Sequence, residues 1–196
     1  DREYMQAWDR LQTPGLLVKR AENASRAGKT DEAVDLLQNW LEENPDDVTV
    51  AQFLGVSLQN SGKLQEAMAI YEKVISLDQD NAVALNNLAG LYLEEKRPGA
   101  LALAERAWTA DKNNPGIKDT NGWALVQSGQ VGRGLQILKQ AVSALPNIPE
   151  VRYHHAAALY MAGDKSAARE LLRTLLEDNA QFAGRNEAET LLEGSR

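Results

Sequence analysis

Apolar residues along this chain recur at helical spacing, as in Leu54 with Leu58 and Leu88 with Tyr92, and polar residues fill the positions between. Tyr71, Leu125, Leu138, Leu159 and Leu172 extend the pattern, and together these positions are predicted to form the core. A longer period lies on top of the helical one. Small residues stand at Ala33, Ala67, Ala100, Gly134 and Ala168, separated by 34, 33, 34 and 34 residues. Five places before four of them come Gly28, Gly62, Gly129 and Gly163, suited to a left-handed turn between two helices. Twelve places before lie Ala21, Gly55, Gly122 and Ala156, small enough to let paired helices approach closely. Twelve places after two of the anchors, Pro45 and Pro146 are placed to end the second helix. Each period is therefore predicted to be a helical hairpin.

The spacing, with strings such as FLGVSLQNSGKLQEAMAIYEKVISLD and NGWALVQSGQVGRGLQILKQAVSALP, resembles the tetratricopeptide repeat family from Pro14 to about Asn179. The resemblance implies an all-α, right-handed superhelical solenoid of helical hairpins, with repeats at 14–47, 48–81, 82–114, 115–148 and 149–179. Residues 1–13 read as a partial helix of a preceding repeat, because Tyr4, Trp8 and Leu11 share one face before Pro14. Residues 180–196 read as a capping helix and tail, with Phe182, Ala188, Leu191 and Leu192 facing inward. In the third repeat, EEKRPGA lacks the turn glycine and is one residue short, which predicts an altered turn near Pro98. One hairpin cannot bury its own apolar face, so stacked neighbours must supply the core.

Composition narrows the function classes. Hydrophobic residues make up 43% and charged residues 25%, as in an ordinary folded chain. No apolar run approaches the roughly 18 residues of a membrane-spanning helix. The net charge of −7 argues against a nucleic-acid partner, whose phosphates need concentrated Lys and Arg. The lack of cysteine removes thiol catalysis, thiolate metal sites and disulfides together. The opening DREYMQAW has neither an initiator methionine nor a signal-peptide pattern, so the chain is expected to be a piece of a longer protein.

Candidate chemistry is sparse. His154 and His155, the two histidines, are adjacent, and neighbouring helical residues point about 100° apart, so they cannot clasp one metal from one helix. The glycines of GQVGRG lack the preceding strand of a nucleotide fingerprint and read as a hairpin turn. Acidic runs such as LEENPDD read as helix ends, with Asp46 or Asp47 capping the next helix. The expectation is no enzyme, no catalytic residue, no cofactor and no metal.

What remains is a binding groove, which the family resemblance places along the first helix of each hairpin. That register brings Gln52, Val56, Gln59, Asn86, Asn87, Gly90, Asp119, Trp123, Val126, Tyr153, His154 and Tyr160 to the inner surface. The candidate site is Gln52, Asn86, Asn87, Asp119, Trp123, Tyr153, His154 and Tyr160, holding a protein or peptide segment. A glycan is not distinguished from a peptide at this point. Asn87 stands where the family often holds peptide backbone with an asparagine amide, which both donates and accepts; a solvated helix surface is the competing reading. Trp123 and Tyr153 offer flat apolar contact, against helix packing as the alternative. No Lys or Arg lies at the matching inner positions Val18, Glu22, Gln52, Phe53, Asn86 and Asp119, which disfavours a carboxylate clamp.

From Lys118 to Leu192, the combination DTNGW, RGL, PEVRYH and FAGRNEAETLL resembles bacterial exopolysaccharide-associated tetratricopeptide lipoproteins of the PEP-CTERM system, although Asn121 replaces that family's leucine. This implies a scaffold in an exported assembly, periplasmic or associated with the outer membrane, tied to exopolysaccharide production or surface-protein sorting. The alternatives are a cytoplasmic cochaperone-type adaptor and the targeting domain of a larger enzyme.

Overall fold

A computed structural model describes residues 13–178 and 181–194. The expected partial helix with Tyr4, Trp8 and Leu11 lies outside the described residues. Among those described, the chain is all-helical: α1 Pro14–Arg26, α2 Thr30–Glu43, α3 Val48–Asn60, α4 Leu64–Leu77, α5 Ala82–Glu94, α6 Ala100–Ala110, α7 Pro115–Gln127, α8 Val131–Ala144, α9 Pro149–Met161, α10 Lys165–Asp178 and α11 Arg185–Gly194. Two compact units divide it, Asp1–Leu91 and Tyr92–Arg196, with the boundary inside α5.

In the first unit α1 packs on α2, α3 on α4, and α2 on α3. The small anchors Ala33 and Ala67 are fully buried, as are Leu37, Tyr71 and Leu85. A Cβ added to Gly55 would sit 2.5 Å from Cε1 of Tyr71, so the missing side chain on α3 is what admits the tyrosine ring from α4. Of the two acids offered as caps, Asp47 performs the role. Its Oδ1 accepts from the Val50 N–H at 3.0 Å, and its Oδ2 accepts from the Trp40 indole at 2.9 Å. One carboxylate thus starts α3 and ties it to the end of α2.

The second unit pairs α7 with α8 and α9 with α10, and packs α8 on α9. At the α7–α8 crossing both partners are glycine. A Cβ on Gly134 would meet the Gly122 carbonyl oxygen and Val126 Cγ2, each at 2.6 Å, so the two backbones touch where no side chain could fit. The expected capping helix is present as α11. Its Ala188 is fully buried, and Phe182, Leu191 and Leu192 pack against Tyr153, Ala156, Ala157, Leu172 and Leu175.

All five hairpin turns close in the same way. Lys63 N–H donates to the Leu58 carbonyl at 2.9 Å and Gly62 N–H to that of Gln59 at 3.0 Å, satisfying two carbonyls at the end of α3. The third repeat keeps this pair of bonds without the glycine. Arg97 donates to Tyr92 and Lys96 to Leu93, while Lys96 itself takes the left-handed conformation at φ 53°. The Arg97 guanidinium lies 4.3 Å above the Tyr92 ring and Gly99, at φ 94°, leads into α6. The irregularity near Pro98 is therefore a strained copy of the common turn. Two expected core positions differ: Tyr92 and Leu159 are only half-buried, since each lies at the C-terminal end of its helix where packing gives way to the turn.

Gly134→Ala should cost about 1–3 kcal/mol, because the added methyl meets backbone and not a movable side-chain tip. Lys96→Gly should gain about 0.5–1 kcal/mol, the relief of left-handed strain outweighing the entropy glycine adds to the unfolded chain. Urea denaturation midpoints measured beside the parent chain check both.

Candidate functional site

The predicted site residues fall into two groups, one in each unit. In the first, Gln52 is half-buried on α3 and Asn86 and Asn87 are half-buried on α5. The two asparagines belong to a hydrogen-bonded line: Asn86 Nδ2 donates to Asn87 Oδ1 at 3.4 Å, Asn87 Nδ2 donates to the Tyr71 hydroxyl at 3.1 Å, and that hydroxyl donates to Gln59 Oε1 at 3.0 Å. Burial pushes the Tyr71 hydroxyl up to about 12 and the Asn87 hydrogen bond partly opposes it, so the group stays protonated and keeps donating. Asn87 is thus a side chain already fixed by α4. Asn86 Oδ1 is buried and accepts no hydrogen bond from the described residues.

In the second unit, Asp119 and Trp123 sit one turn apart on α7 and meet Tyr153 and His154 from α9. His154 Nδ1 lies 2.8 Å from Asp119 Oδ2, which requires the proton on that nitrogen if the histidine is to donate to the carboxylate. The imidazole stacks on the Trp123 indole with centroids 4.6 Å apart and planes 14° from parallel. Tyr153 meets the same indole edge-on at 6.0 Å and lies tilted against Phe182, with centroids 6.4 Å apart. Asp119 and Tyr153 are each only 8% exposed, so they serve the packing as well as the surface. Tyr160 lies further along α9, its hydroxyl donating to the Gly194 carbonyl at 3.3 Å and its ring 5.2 Å below Lys165 Nζ. One groove expectation is corrected: Val126 is fully buried, packed with Leu138 and Ala158 at the glycine crossing.

Trp123 and Tyr153 open onto a cleft of about 450 Å³, whose remaining walls are Gln127, Ala157, Met161, Asn186, Glu187, Thr190 and Leu191. Three helices build it, α7, α9 and α11. Met161 is 50% exposed there, unusual for a large apolar side chain with a whole core available to it. The Tyr153 hydroxyl is pushed up to about 12, by burial first and then by the negative charge of Glu187, which lines the same cleft. The sequence reading missed Met161 and the whole α11 wall. A signal existed: Tyr153, Ala157 and Met161 form an i, i+4 stripe, and Glu187 with Leu191 forms another.

The Asp119–His154 pair looks like the orienting half of a catalytic triad, but among the described residues no serine or threonine hydroxyl hydrogen-bonds to His154, and Trp123 covers its ring. No three of His, Asp and Glu among the described residues gather as a metal site would need. The neighbouring His155 points into a different environment, where burial and then Lys139 hold its imidazole below the ordinary value of 6.5.

Comparison with known proteins gives the setting. Profiles of the tetratricopeptide repeat match residues 18–82 and 125–193. The chain is 31% identical over 197 residues to the cellulose synthase operon protein C of Xanthomonas axonopodis pv. citri, covering 98% of this chain and 12% of that protein. It is 29% identical over 114 residues to the Vi polysaccharide export protein VexE of Salmonella typhi, covering 56% of this chain and 17% of that one. The chain thus spans under a fifth of the length of either. Among solved structures, PilF of Pseudomonas aeruginosa superposes with a TM-score of 0.69 at 20% identity, covering 93% of this chain and 88% of that one, which establishes the shared fold. No helix of the described residues is long and apolar enough to cross a membrane.

Because the folded protein depresses the affinity of His155 for its proton and the unfolded chain does not, this site contributes stability above about pH 6.5 that is lost as pH falls through the lower folded value. The melting temperature should therefore drop between pH 7.5 and 5.5 by more in the parent chain than in His155→Gln.

Proposed function

This chain belongs to the tetratricopeptide repeat family, and from that premise we propose that it is a non-enzymatic protein-binding module holding a peptide segment of its partner. Tetratricopeptide repeats are protein-interaction scaffolds, and the observation that carries the reading here is the apolar cleft of the second unit. It has the size of a ligand site and an open mouth. Its aromatic wall is braced by the stacking of His154 on Trp123, and aromatic side chains contribute contact area at low entropy cost. The asparagine line of the first unit offers a second contact, with the amide of Asn87 held in place by Tyr71.

The names of two relatives support a finer reading, in which the parent protein serves a bacterial polysaccharide-producing or exporting assembly; the compartment proposed for it is the periplasm or the outer membrane. The likeness of residues 118–192 to PEP-CTERM lipoproteins points the same way and further proposes surface-protein sorting. The acidic balance of −7 supports a partner other than nucleic acid.

Site-specific photocrosslinking tests the proposal. A benzophenone side chain in place of Met161, in the full-length parent within its own envelope, should form an adduct with a second protein. The same group in place of Lys112, exposed on the surface between α6 and α7, should not. Equal adducts at both positions, or none at Met161, would refute the assignment.

A further inference from the structure

We infer that the cleft of the second unit selects an extended peptide carrying a large apolar side chain beside a lysine or arginine, with Glu187 receiving the cation. This rests on the protein-binding reading above and narrows it to a partner chemistry.

Among the described residues, Glu187 is the one charged side chain lining the cleft. It is exposed, and no Lys, Arg or His of the described residues pairs with it. The single cation of its own helix, Arg185, is engaged 3.0 Å from Glu189 Oε1 instead. Among the described residues, the cleft therefore presents a carboxylate with no cationic partner beside an apolar lining. A chain with net charge −7 attracts basic segments at longer range, and the local carboxylate fixes where the cation settles.

The walls state the other half of the preference. Trp123, Tyr153, Ala157, Met161 and Leu191 make up the apolar part of the lining, and the volume of about 450 Å³ accommodates a large apolar side chain together with the backbone that carries it. Asn186 and Gln127 supply side-chain amides, each able to donate and accept as a peptide backbone requires. A sugar ring would share the amides and the aromatic faces, but it leaves further hydroxyls against Met161 and Leu191, where they lose water without gaining a partner. The apolar lining thus favours a peptide over a glycan.

Selection from a short random-peptide library displayed on phage, run on the complete chain, decides the matter. The parent chain should enrich peptides with Lys or Arg within about two residues of an aromatic or aliphatic side chain. Glu187→Lys should reverse the charge preference to Asp or Glu, and Glu187→Gln should erase it. Met161→Asp should weaken binding of the parent-selected peptides by about tenfold or more. Circular dichroism melts of the variants confirm that each is folded; Glu187 is exposed on α11, so its replacements leave the core intact. If the enriched motif is the same for the parent, Glu187→Gln and Glu187→Lys, the charge assignment is overturned while peptide binding at the cleft stands. If no peptide is enriched over Met161→Asp, both readings fall. Binding of cellohexaose that Met161→Asp abolishes, with no peptide enriched, overturns the peptide in favour of a glycan.

Discussion

The fold depends on the distance at which paired helices can cross. Where Gly122 faces Gly134 the backbones themselves are in contact, and a single added methyl at either position would overlap the other helix or its side chains. Gly55 does the same for the Tyr71 ring, and alanines at 33, 67 and 168 do it with no exposed surface at all. Close crossing brings the larger side chains of each helix pair into mutual contact, and that burial supplies most of what holds a repeat together, roughly 1.5–3 kcal/mol for each large apolar group. The period of about 34 residues is the sequence record of this constraint. A small residue must return each time the chain completes one hairpin.

That constraint explains why so much of the architecture was legible. Crossing glycines, turn glycines and helix-ending prolines are demands on the backbone, and only a few residue types meet them. Even Lys96, which breaks the glycine rule, sits in a turn whose position was predictable from Ala100, because the two capping hydrogen bonds form whichever residue bears the strain. The half-exposure of Tyr92 and Leu159 was less legible, since helical periodicity assigns a face and says nothing about how far along it the neighbours reach.

The site was read less completely, for a different reason. Trp123, Tyr153 and His154 announce themselves as aromatic or titratable residues on the first helix of a hairpin, and the structure does bring them together. Asp119 was chosen as a groove residue, and its place as the buried partner of His154 came only with the structure. The α11 wall was treated as a lid over the core, its apolar residues all assigned inward. Yet Leu191 packs on the core and lines the cleft at once, and Asn186, Glu187 and Thr190 line it from the same helix. α11 stacks on the helix pair before it as the first helix of a further repeat would, so it carries a share of the cleft lining.

The same helix buries little of its own surface. Ala188 is its single fully buried side chain, and it is steadied by Tyr160 at Gly194 and by the seating of Gly184 against the Tyr153 ring. Anything lodged between α9 and α11 touches both and so adds to the contacts that keep α11 docked. Occupancy and order at this end of the chain are then thermodynamically linked: a bound segment suppresses fraying of the helix, and fraying lowers affinity by the fraction of molecules in which the wall is absent. Amide hydrogens of α11 would exchange more slowly in the filled cleft, which makes the last helix a gauge of the load the protein carries.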